Sequence, residues 1–169
     1  DFEDPDYRWF YNMLKVATNG AQATPREIPL ISFVHWHTTA PPENPDPAVR
    51  QMSAGAYQEL LWHMLLRGHD GLAMWCTNPE TLEETRLVQE VYAASHPFAE
   101  FLAEGIPVCF EVPSSPAPVV SALRLHDRLL VRRTDFGGAD AQPVTLEVDG
   151  ILMEVPASPG RCQILELMK

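Results

Sequence analysis

Residues 65–76 read LLRGHDGLAMWC and join the end of a predicted helix to a short apolar run. Gly68 is a typical helix stop, because glycine readily adopts the left-handed conformation that follows a last helical turn. Gly71 then opens an apolar run of strand length. A second such run, IPLISFV at residues 28–34, precedes the helix. We therefore predict strand, helix and strand, with both strands apolar on two faces, as is typical of buried parallel sheets.

Further helices are predicted on both sides of this unit. Asp4 and Pro5 indicate the start of a helix that ends at Asn19-Gly20. Ser53 caps the helix between the two strands, and another helix follows the second strand, is interrupted at Pro97 and ends at Gly105. The long Pro-rich stretch at residues 38–51 is predicted to be a loop. The alternation of helix and strand over residues 5–105 predicts parallel strands joined by right-handed crossovers.

After Gly105 the hydrophobic period becomes that of strands. The short apolar or alternating runs lie at residues 108–112, 122–125, 129–133, 144–148, 151–155 and 163–167. Asp149-Gly150 is a strong signal for a two-residue hairpin turn, and His126-Asp127 is a weaker one. We expect residues 106–169 to form a small antiparallel β-sandwich.

The charge and hydrophobicity of the sequence argue against two classes of partner, nucleic acid and membrane. The formal net charge is −11, from 12 Lys and Arg against 23 Asp and Glu, and no basic stripe is present, so nucleic acid is not an expected partner. No apolar run approaches the roughly 18 residues of a membrane helix, so a membrane is not expected either. The arginines of the second half are explained by cross-strand pairing with Glu147 and Glu154.

Two strands and three helices cannot close a barrel. A complete β/α barrel takes roughly 250 residues, whereas the α/β part here covers residues 1–105. We therefore predict an α/β part followed by an all-β part: the last two βα units of a partial (β/α) barrel, then the sandwich. The chain also begins without Met, which suggests processing, truncation or excision from a larger protein. The remainder of the barrel, in the same precursor or on another chain, is an expected partner.

Three segments carry a resemblance to a known family. Residues 28–39, the helix end and turn at 65–71, and the apolar run that ends at Trp75 look like the last two strands of a glycoside hydrolase barrel. The Gly-x-x-Gly turn followed by an apolar strand ending in Trp is similar to the eighth strand of several glycosidase families, including hyaluronidase-like enzymes. A C-terminal β-sandwich is also common among glycosidases. The resemblance implies a carbohydrate-active hydrolase with a carbohydrate ligand and no cofactor.

Candidate site residues follow from the barrel prediction, because active sites of β/α barrels lie at the carboxyl ends of the strands. A strand turns alternate side chains to one face, so His35 and His37 point together, with Trp36 opposed. Trp75 suits a stacking platform for a sugar ring. The residues predicted to contact substrate are His35, Trp36, His37, Thr38, Trp75 and Asn78.

Glycoside hydrolysis needs two carboxyl groups that flank the scissile bond. No acidic residue ends either predicted strand, so we expect the catalytic pair on earlier strands and only cleft walls on this chain. Two alternatives remain. One is a metal-dependent barrel hydrolase that uses His35 and His37, although no third ligand at a fixed spacing is visible and no metal site is predicted. The other is a non-catalytic interaction module.

Overall fold

The computed structural model describes residues 7–36, 52–74, 81–136 and 143–167, which are mixed helix and sheet. The helices are α1 (Tyr7–Ala23), α2 (Ala54–Leu66), α3 (Thr81–Ser95) and α4 (Ala99–Glu104), with a 3-10 helix at His96–Phe98. The strands are β1 (Ile31–Val34), β2 (Gly71–Met74), β3 (Ile106–Pro107), β4 (Val119–Leu125), β5 (Arg128–Thr134), β6 (Val144–Val148), β7 (Ile151–Val155) and β8 (Cys162–Glu166). Of the helices in these ranges, none is both long and apolar enough to cross a membrane.

Capping and helix-breaking residues in the sequence predicted most of the helix ends correctly. The side chain of Ser53 accepts a hydrogen bond from the backbone N–H of Ala56 at 3.1 Å and caps α2, as predicted. Gly68 has a φ of 97°, which a residue with a side chain rarely adopts, and it follows the last turn of α2. Pro97 lies in the 3-10 helix that separates α3 from α4. The predicted start at Asp4 and Pro5 lies outside the described residues.

Helix α1 does not end at Asn19-Gly20, so that prediction is wrong. The helix continues to Ala23, and the hydroxyl of Thr24 donates to the carbonyl oxygen of Gly20 at 2.8 Å. Glycine is tolerated inside a helix at a cost of about 1 kcal/mol, so its presence permits an end without imposing one.

Strands β1 and β2 pair in parallel, with residues 31–34 opposite residues 71–74, which confirms the predicted direction. Val34 faces the helices and is buried in the main core. Ile31 and Phe33 point to the other side, where they are 65% and 70% exposed. The expectation that both faces of this strand are buried is therefore wrong for the described residues, because among them helices cover only one face.

The turn that connects α2 to β2 binds three elements together. Nε2–H of the buried His69 donates to the carbonyl oxygen of Ala17 in α1 at 3.0 Å. Because that nitrogen carries the proton, Nδ1 accepts from the hydroxyl of Ser32 in β1 at 2.6 Å. The carboxylate of Asp70 accepts from the backbone N–H of Leu30 at 2.8 Å. The GHDG sequence of this turn thus fixes the position of β1 against α1.

The second half of the chain is antiparallel, as predicted. Its larger sheet has the strand order β3-β4-β5-β8, and β6 and β7 form a separate hairpin. Asp149 and Gly150 have φ angles of 52° and 78°, as expected for the predicted two-residue turn. Alternate residues of β4 and β5 pack against the helices and against the hairpin, so these two strands are buried on both faces. Residues on both sides of Gly105 therefore share one core.

The predicted strand at residues 108–112 is wrong, because β3 ends at Pro107 and no strand follows before β4. Continuing the pairing of β3 with β4 would place Phe110 opposite Val120. The carbonyl groups of both residues instead accept hydrogen bonds from the guanidinium of Arg67, at 2.9 Å and 3.2 Å. Arg67 donates where backbone N–H groups would donate in a ladder. It therefore lies between the two segments and ends the pairing.

Helix α2 lies in the middle of the molecule, and almost every residue from Ala56 onward is buried. Three of these residues are polar, and their spacing of four places them on one helical face, towards β4 and β5. They are Glu59, His63 and Arg67. Ser121 of β4 and Thr134 of β5 connect them into one hydrogen-bonded chain. His63 is completely buried, and its polar atoms are satisfied by the sheet.

The carboxylate at one end of this hydrogen-bonded series determines which group donates in each bond. The carboxylate of Glu59 can only accept, so the hydroxyl of Thr134 donates to it at 2.6 Å. The oxygen of Thr134 then accepts from Nε2–H of His63 at 2.9 Å. Nδ1 of His63 accepts from the hydroxyl of Ser121 at 2.8 Å, and that oxygen accepts from Nε of Arg67 at 2.8 Å. His63 is thus neutral, and burial together with the charges of Arg67 and Arg132 holds its pKa well below the usual value.

The predicted cross-strand pairing of Arg132 with Glu147 or Glu154 is wrong. Both ends of its guanidinium fork donate to Glu59 of α2, and the pair is almost completely buried. The same guanidinium lies 4.9 Å from the ring centroid of Trp62, a cation–π contact. Two further arginines also pair elsewhere: Arg124 with Asp149 and Arg128 with Glu100. Arg132 therefore joins helix to sheet rather than strand to strand.

We expect Arg67→Lys to lower the free energy of unfolding by about 2–5 kcal/mol. Arg67 donates to five acceptors inside the molecule, and lysine has only three N–H groups on one nitrogen. Urea unfolding measures the change. The control is Arg86→Lys, which alters an exposed ion pair with Glu90 and should shift stability by less than about 0.5 kcal/mol. Equal effects of the two substitutions would contradict the role given to Arg67.

We expect the free energy of unfolding to fall as the pH drops below about 6.5. Burial lowers the pKa of both His63 and His69 in the folded protein. The unfolded state therefore binds more protons below pH 6.5, and each histidine contributes a slope of up to about 1.4 kcal/mol per pH unit. Urea unfolding between pH 7.5 and pH 5.5 should give a shallower slope for His63→Gln and for His69→Gln. Slopes unchanged from the parent protein in both variants would refute this account.

Candidate functional site

The carboxyl ends of β1 and β2 lie at the same edge of the sheet, because the two strands are parallel. His35 and Trp36 follow β1 directly at this edge. The other residues predicted to contact substrate lie outside the described residues: His37, Thr38, Trp75 and Asn78. Their roles stay predictions, and the geometry of the site is that of His35, Trp36 and the residues they contact.

The ring of Trp36 packs inward. It stacks on Tyr57 of α2, with ring centroids 6.2 Å apart and an interplanar angle of 23°. Its Nε1–H donates to the carbonyl oxygen of Met52 at 2.8 Å, which fixes the ring relative to the start of α2. Trp36 is partly buried against the main core. Its contacts attach the segment after β1 to α2.

A buried carboxylate, Glu84, completes the site. Glu84 lies in the first turn of α3, and its side chain is completely buried. Its Oε1 accepts from the hydroxyl of Tyr57 at 2.6 Å and from the backbone N–H of Trp36 at 3.0 Å. The amino-terminal end of a helix also favours a negative charge. Three separate segments of the chain thus converge on one carboxylate.

His35 lies next to this carboxylate, with Nδ1 3.6 Å from Oε2 of Glu84. Nδ1 itself is buried, although 37% of the side chain is exposed. A histidine beside a buried carboxylate can accept or donate a proton, hydrogen-bond a ligand or coordinate a metal.

Glu84 was not among the predicted site residues. It lies at the helical spacing of Leu87, Val88 and Val91, so an acidic residue falls on the apolar stripe of α3. That placement is a usable signal, since a carboxylate on a buried stripe needs donors from other segments. Tyr57 is 1% exposed. Its hydroxyl contributes to the site by donating a hydrogen bond to Glu84.

Metal binding has no complete ligand set in the described parts of the chain, where no three His, Cys, Asp or Glu side chains form a group that could hold an ion. The described cysteines offer little reactivity. Burial raises the pKa of Cys109 and raises that of Cys162 to about 11, so both thiols stay protonated at neutral pH.

Comparison with protein-family models, with curated proteins and with solved structures gives no match to this chain.

Proposed function

We propose that the chain is the C-terminal part of a carbohydrate-active β/α-barrel hydrolase, in which β1 and β2 are the last two barrel strands. Residues 1–105 then complete the barrel wall, and residues 106–169 form a small β-sandwich domain. The segments after β1 and β2 border a cleft for a carbohydrate ligand. The proposal includes no cofactor, because the hydrolysis relies on two carboxyl groups.

The exposed apolar face of the parallel pair carries this proposal. Ile31 and Phe33 are mostly exposed, and the residues paired with them on β2 are the small Gly71 and Ala73. The side chain of Ile31 leans over Gly71, where an added Cβ would lie 3.3 Å from it. In a closed β/α barrel this face points inward and is filled by branched apolar side chains from the other strands. Apolar side chains that stay exposed to water add no stability to an isolated two-stranded sheet. Their exposure therefore favours a further surface that packs on this face.

The outer side of β1 supports the same arrangement. A groove of about 360 Å³ lies between α1 and β1. Its lining is mainly apolar and includes Trp9, Met13, Val16 and Phe33, of which Val16 and Phe33 are strongly exposed. In a barrel, the preceding strand and its helix pack at this position. The proposed partner is therefore the remainder of the barrel, in the same precursor or on another chain.

The chemistry at the strand ends suits a cleft wall. Glu84 is completely buried and bonded to Tyr57 and Trp36, so it cannot flank a glycosidic bond. The two carboxyl groups that the reaction needs then belong to earlier barrel strands. The side chain of His35 is 37% exposed, and in this proposal it borders the cleft. The predicted contacts of His37, Thr38, Trp75 and Asn78 belong to the same proposal.

The length of the natural protein tests the barrel. Antibodies against this chain can isolate the protein from its source, and mass spectrometry can determine its mass and any bound chain. We expect about 200 or more additional residues with βα alternation, before the chain or on a tightly bound partner. A natural protein that consists of these 169 residues alone and behaves as a monomer would reject the barrel and the partner together.

Ligand binding by the natural protein tests the cleft. Calorimetric titration with chitohexaose, cellohexaose and a hyaluronan oligosaccharide should identify at least one ligand. His35→Ala should weaken its binding about tenfold, as expected for the loss of one hydrogen bond. The control is His96→Ala, because His96 is exposed and lies beyond the opposite end of α3 from Glu84.

The metal-dependent hydrolase and the non-catalytic module each predict a different result for the natural protein. A metal-dependent hydrolase contains stoichiometric zinc, manganese or iron when purified without chelators, and it loses activity with EDTA. A non-catalytic module binds another chain through the face at Ile31 and Phe33 and hydrolyses no glycoside. Either result replaces the carbohydrate hydrolase.

A further inference from the structure

We propose that the edge of strand β6 opposite β7 is a binding site for an extended basic peptide segment, which adds a strand to the hairpin. The site lies in a groove beside β6, and the residues that line this groove are different from those around Glu84. Peptide binding at this groove is therefore independent of the proposed function.

The two-residue turn of the β6–β7 hairpin determines which backbone groups of β6 face away from β7. In such a hairpin the pair that flanks the turn is hydrogen-bonded, and hydrogen-bonded and non-hydrogen-bonded pairs then alternate along the ladder. The flanking pair here is Val148 with Ile151. The N–H and C=O groups of Thr145 and Glu147 therefore point away from β7. Within the described part of the chain, no backbone hydrogen bond is made to these groups.

A groove of about 830 Å³ lies along this edge of β6. One wall consists of residues 144–147 of β6, and the opposite wall is the segment at residues 108–114. The volume is in the range of roughly 300–1,000 Å³ that ligand clefts occupy. Strand β6 has five residues and is about 17 Å long. The groove therefore has the size and length for a short extended peptide.

The opposite wall is held by bonds to other elements. The carbonyl oxygens of Phe110 and Glu111 accept from Arg67 at 2.9 Å and 2.8 Å. The backbone N–H of Val108 donates to the carbonyl oxygen of Ala122 in β4 at 3.0 Å. These bonds direct the backbone of the segment towards α2 and β4, and the segment does not pair with β6. The groove is therefore pre-formed, which lowers the cost of binding a ligand in it.

The groove opens at the margin of the core between the larger sheet and the hairpin. Val120 of β4 and Leu146 of β6 belong to this core, and Val108 and Val144 are partly buried against it. The larger sheet has four strands, whereas the hairpin has two. A strand added beside β6 widens the narrower layer, and its inward apolar side chains extend the same core.

The charged side chains along the groove favour a basic partner. Glu111 lies on one wall and Glu147 on the other, and both are exposed. Across neighbouring strands an opposite charge is favourable and a like charge is unfavourable. The partner that fits is an extended segment with apolar side chains on its inner face and Lys or Arg on its outer face. In recognition of this kind, backbone bonds give affinity and alternate side chains give specificity.

A second copy of this chain fits the same edge less well. Each copy has a formal net charge of −11, and pairing of β6 with its own copy would bring the acidic side chains of both grooves together. Charged side chains are a common protection of an open strand edge against pairing with identical chains. The acidic lining thus disfavours a copy of the chain and favours a basic peptide.

Fluorescence anisotropy with two defined peptides tests the site. The first peptide, KVTVKVT, alternates Val with Lys and Thr, and the second, EVTVEVT, has the same pattern with the opposite charge. We expect the natural protein to bind the Lys peptide about tenfold more tightly than the Glu peptide. Bound Lys peptide should also slow hydrogen exchange in fragments that cover β6. Equal affinity for the two peptides, or binding of neither, overturns the proposal.

Two proline substitutions distinguish the groove edge of the hairpin from its other edge. Thr145→Pro removes an N–H that points into the groove, whereas Glu154→Pro removes the N–H of the residue paired with Thr145, which points away from β6. Proline is tolerated on an edge strand where the N–H faces away from the neighbouring strand. We expect Thr145→Pro to weaken binding of the Lys peptide about tenfold and Glu154→Pro to leave it unchanged. Equal affinities of the two folded variants, checked by circular dichroism, overturn the site.

A charge reversal tests the same site without proline. Glu147→Lys should abolish the preference for the Lys peptide. The control is Glu104→Lys, which makes the same change of net charge at an exposed position outside the groove and should keep the preference. A preference that persists in Glu147→Lys overturns the basic partner. A concentration-dependent dimer that is lost in Thr145→Pro, measured by analytical ultracentrifugation, would make a second copy the occupant and also overturn it.

Discussion

The guanidinium of Arg67 is a positive charge enclosed in the molecule, and all of its nitrogens donate to protein oxygens. The acceptors are hydroxyl and carbonyl groups, without a carboxylate, and burial lowers its pKa to about 10. Removing a cation from water is costly, so the acceptors must all be in place for the charge to be tolerated. The arrangement of α1, α2, β4 and the segment before β4 depends on this one group.

Helix α2 transmits that constraint to the candidate site. Arg67 directly follows its last residue, and Tyr57 lies in its first turn, about three helical turns away. The sheet therefore determines the position of one end of the helix, and the hydroxyl of Tyr57 determines that of Glu84 at the other. Glu84 in turn lies beside His35. A buried helix with few ways to shift is a suitable support for a carboxylate that is held between separate segments.

Local patterns in the sequence were sufficient for much of the fold. Ser53, Gly68 and Asp149-Gly150 mark a cap, a helix stop and a hairpin turn by their own conformational preferences, and each is found where expected. The errors arise where distant residues decide. The run at residues 108–112 has a strand pattern, but the acceptors it offers are bound by Arg67, more than 40 positions earlier.

The candidate site divides in the same way. The position of His35 after an apolar run was readable, because strand ends follow from hydrophobicity. Its neighbour Glu84 was not, since the bond from Trp36 to Glu84 spans 48 positions and depends on how α3 packs. The bonds of His63 to Ser121 and Thr134 were equally hidden, because they join residues 58 and 71 positions apart. Hydrophobic periodicity predicts which face of a helix or strand is buried, but it does not predict which distant residue a side chain on that face will contact.

The position of Arg67 in the chain also has a consequence for folding during synthesis. Of its acceptors, only Thr18 precedes it, and the others lie between Phe110 and Ser121. When the nascent chain has emerged from the ribosome as far as Gly105, Thr18 is the only one of these acceptors that has been synthesised, and the guanidinium is otherwise hydrated. We expect the helical half to reach its final packing only after the strands that follow have formed, so that the two halves fold as one cooperative unit even though their sequence patterns differ.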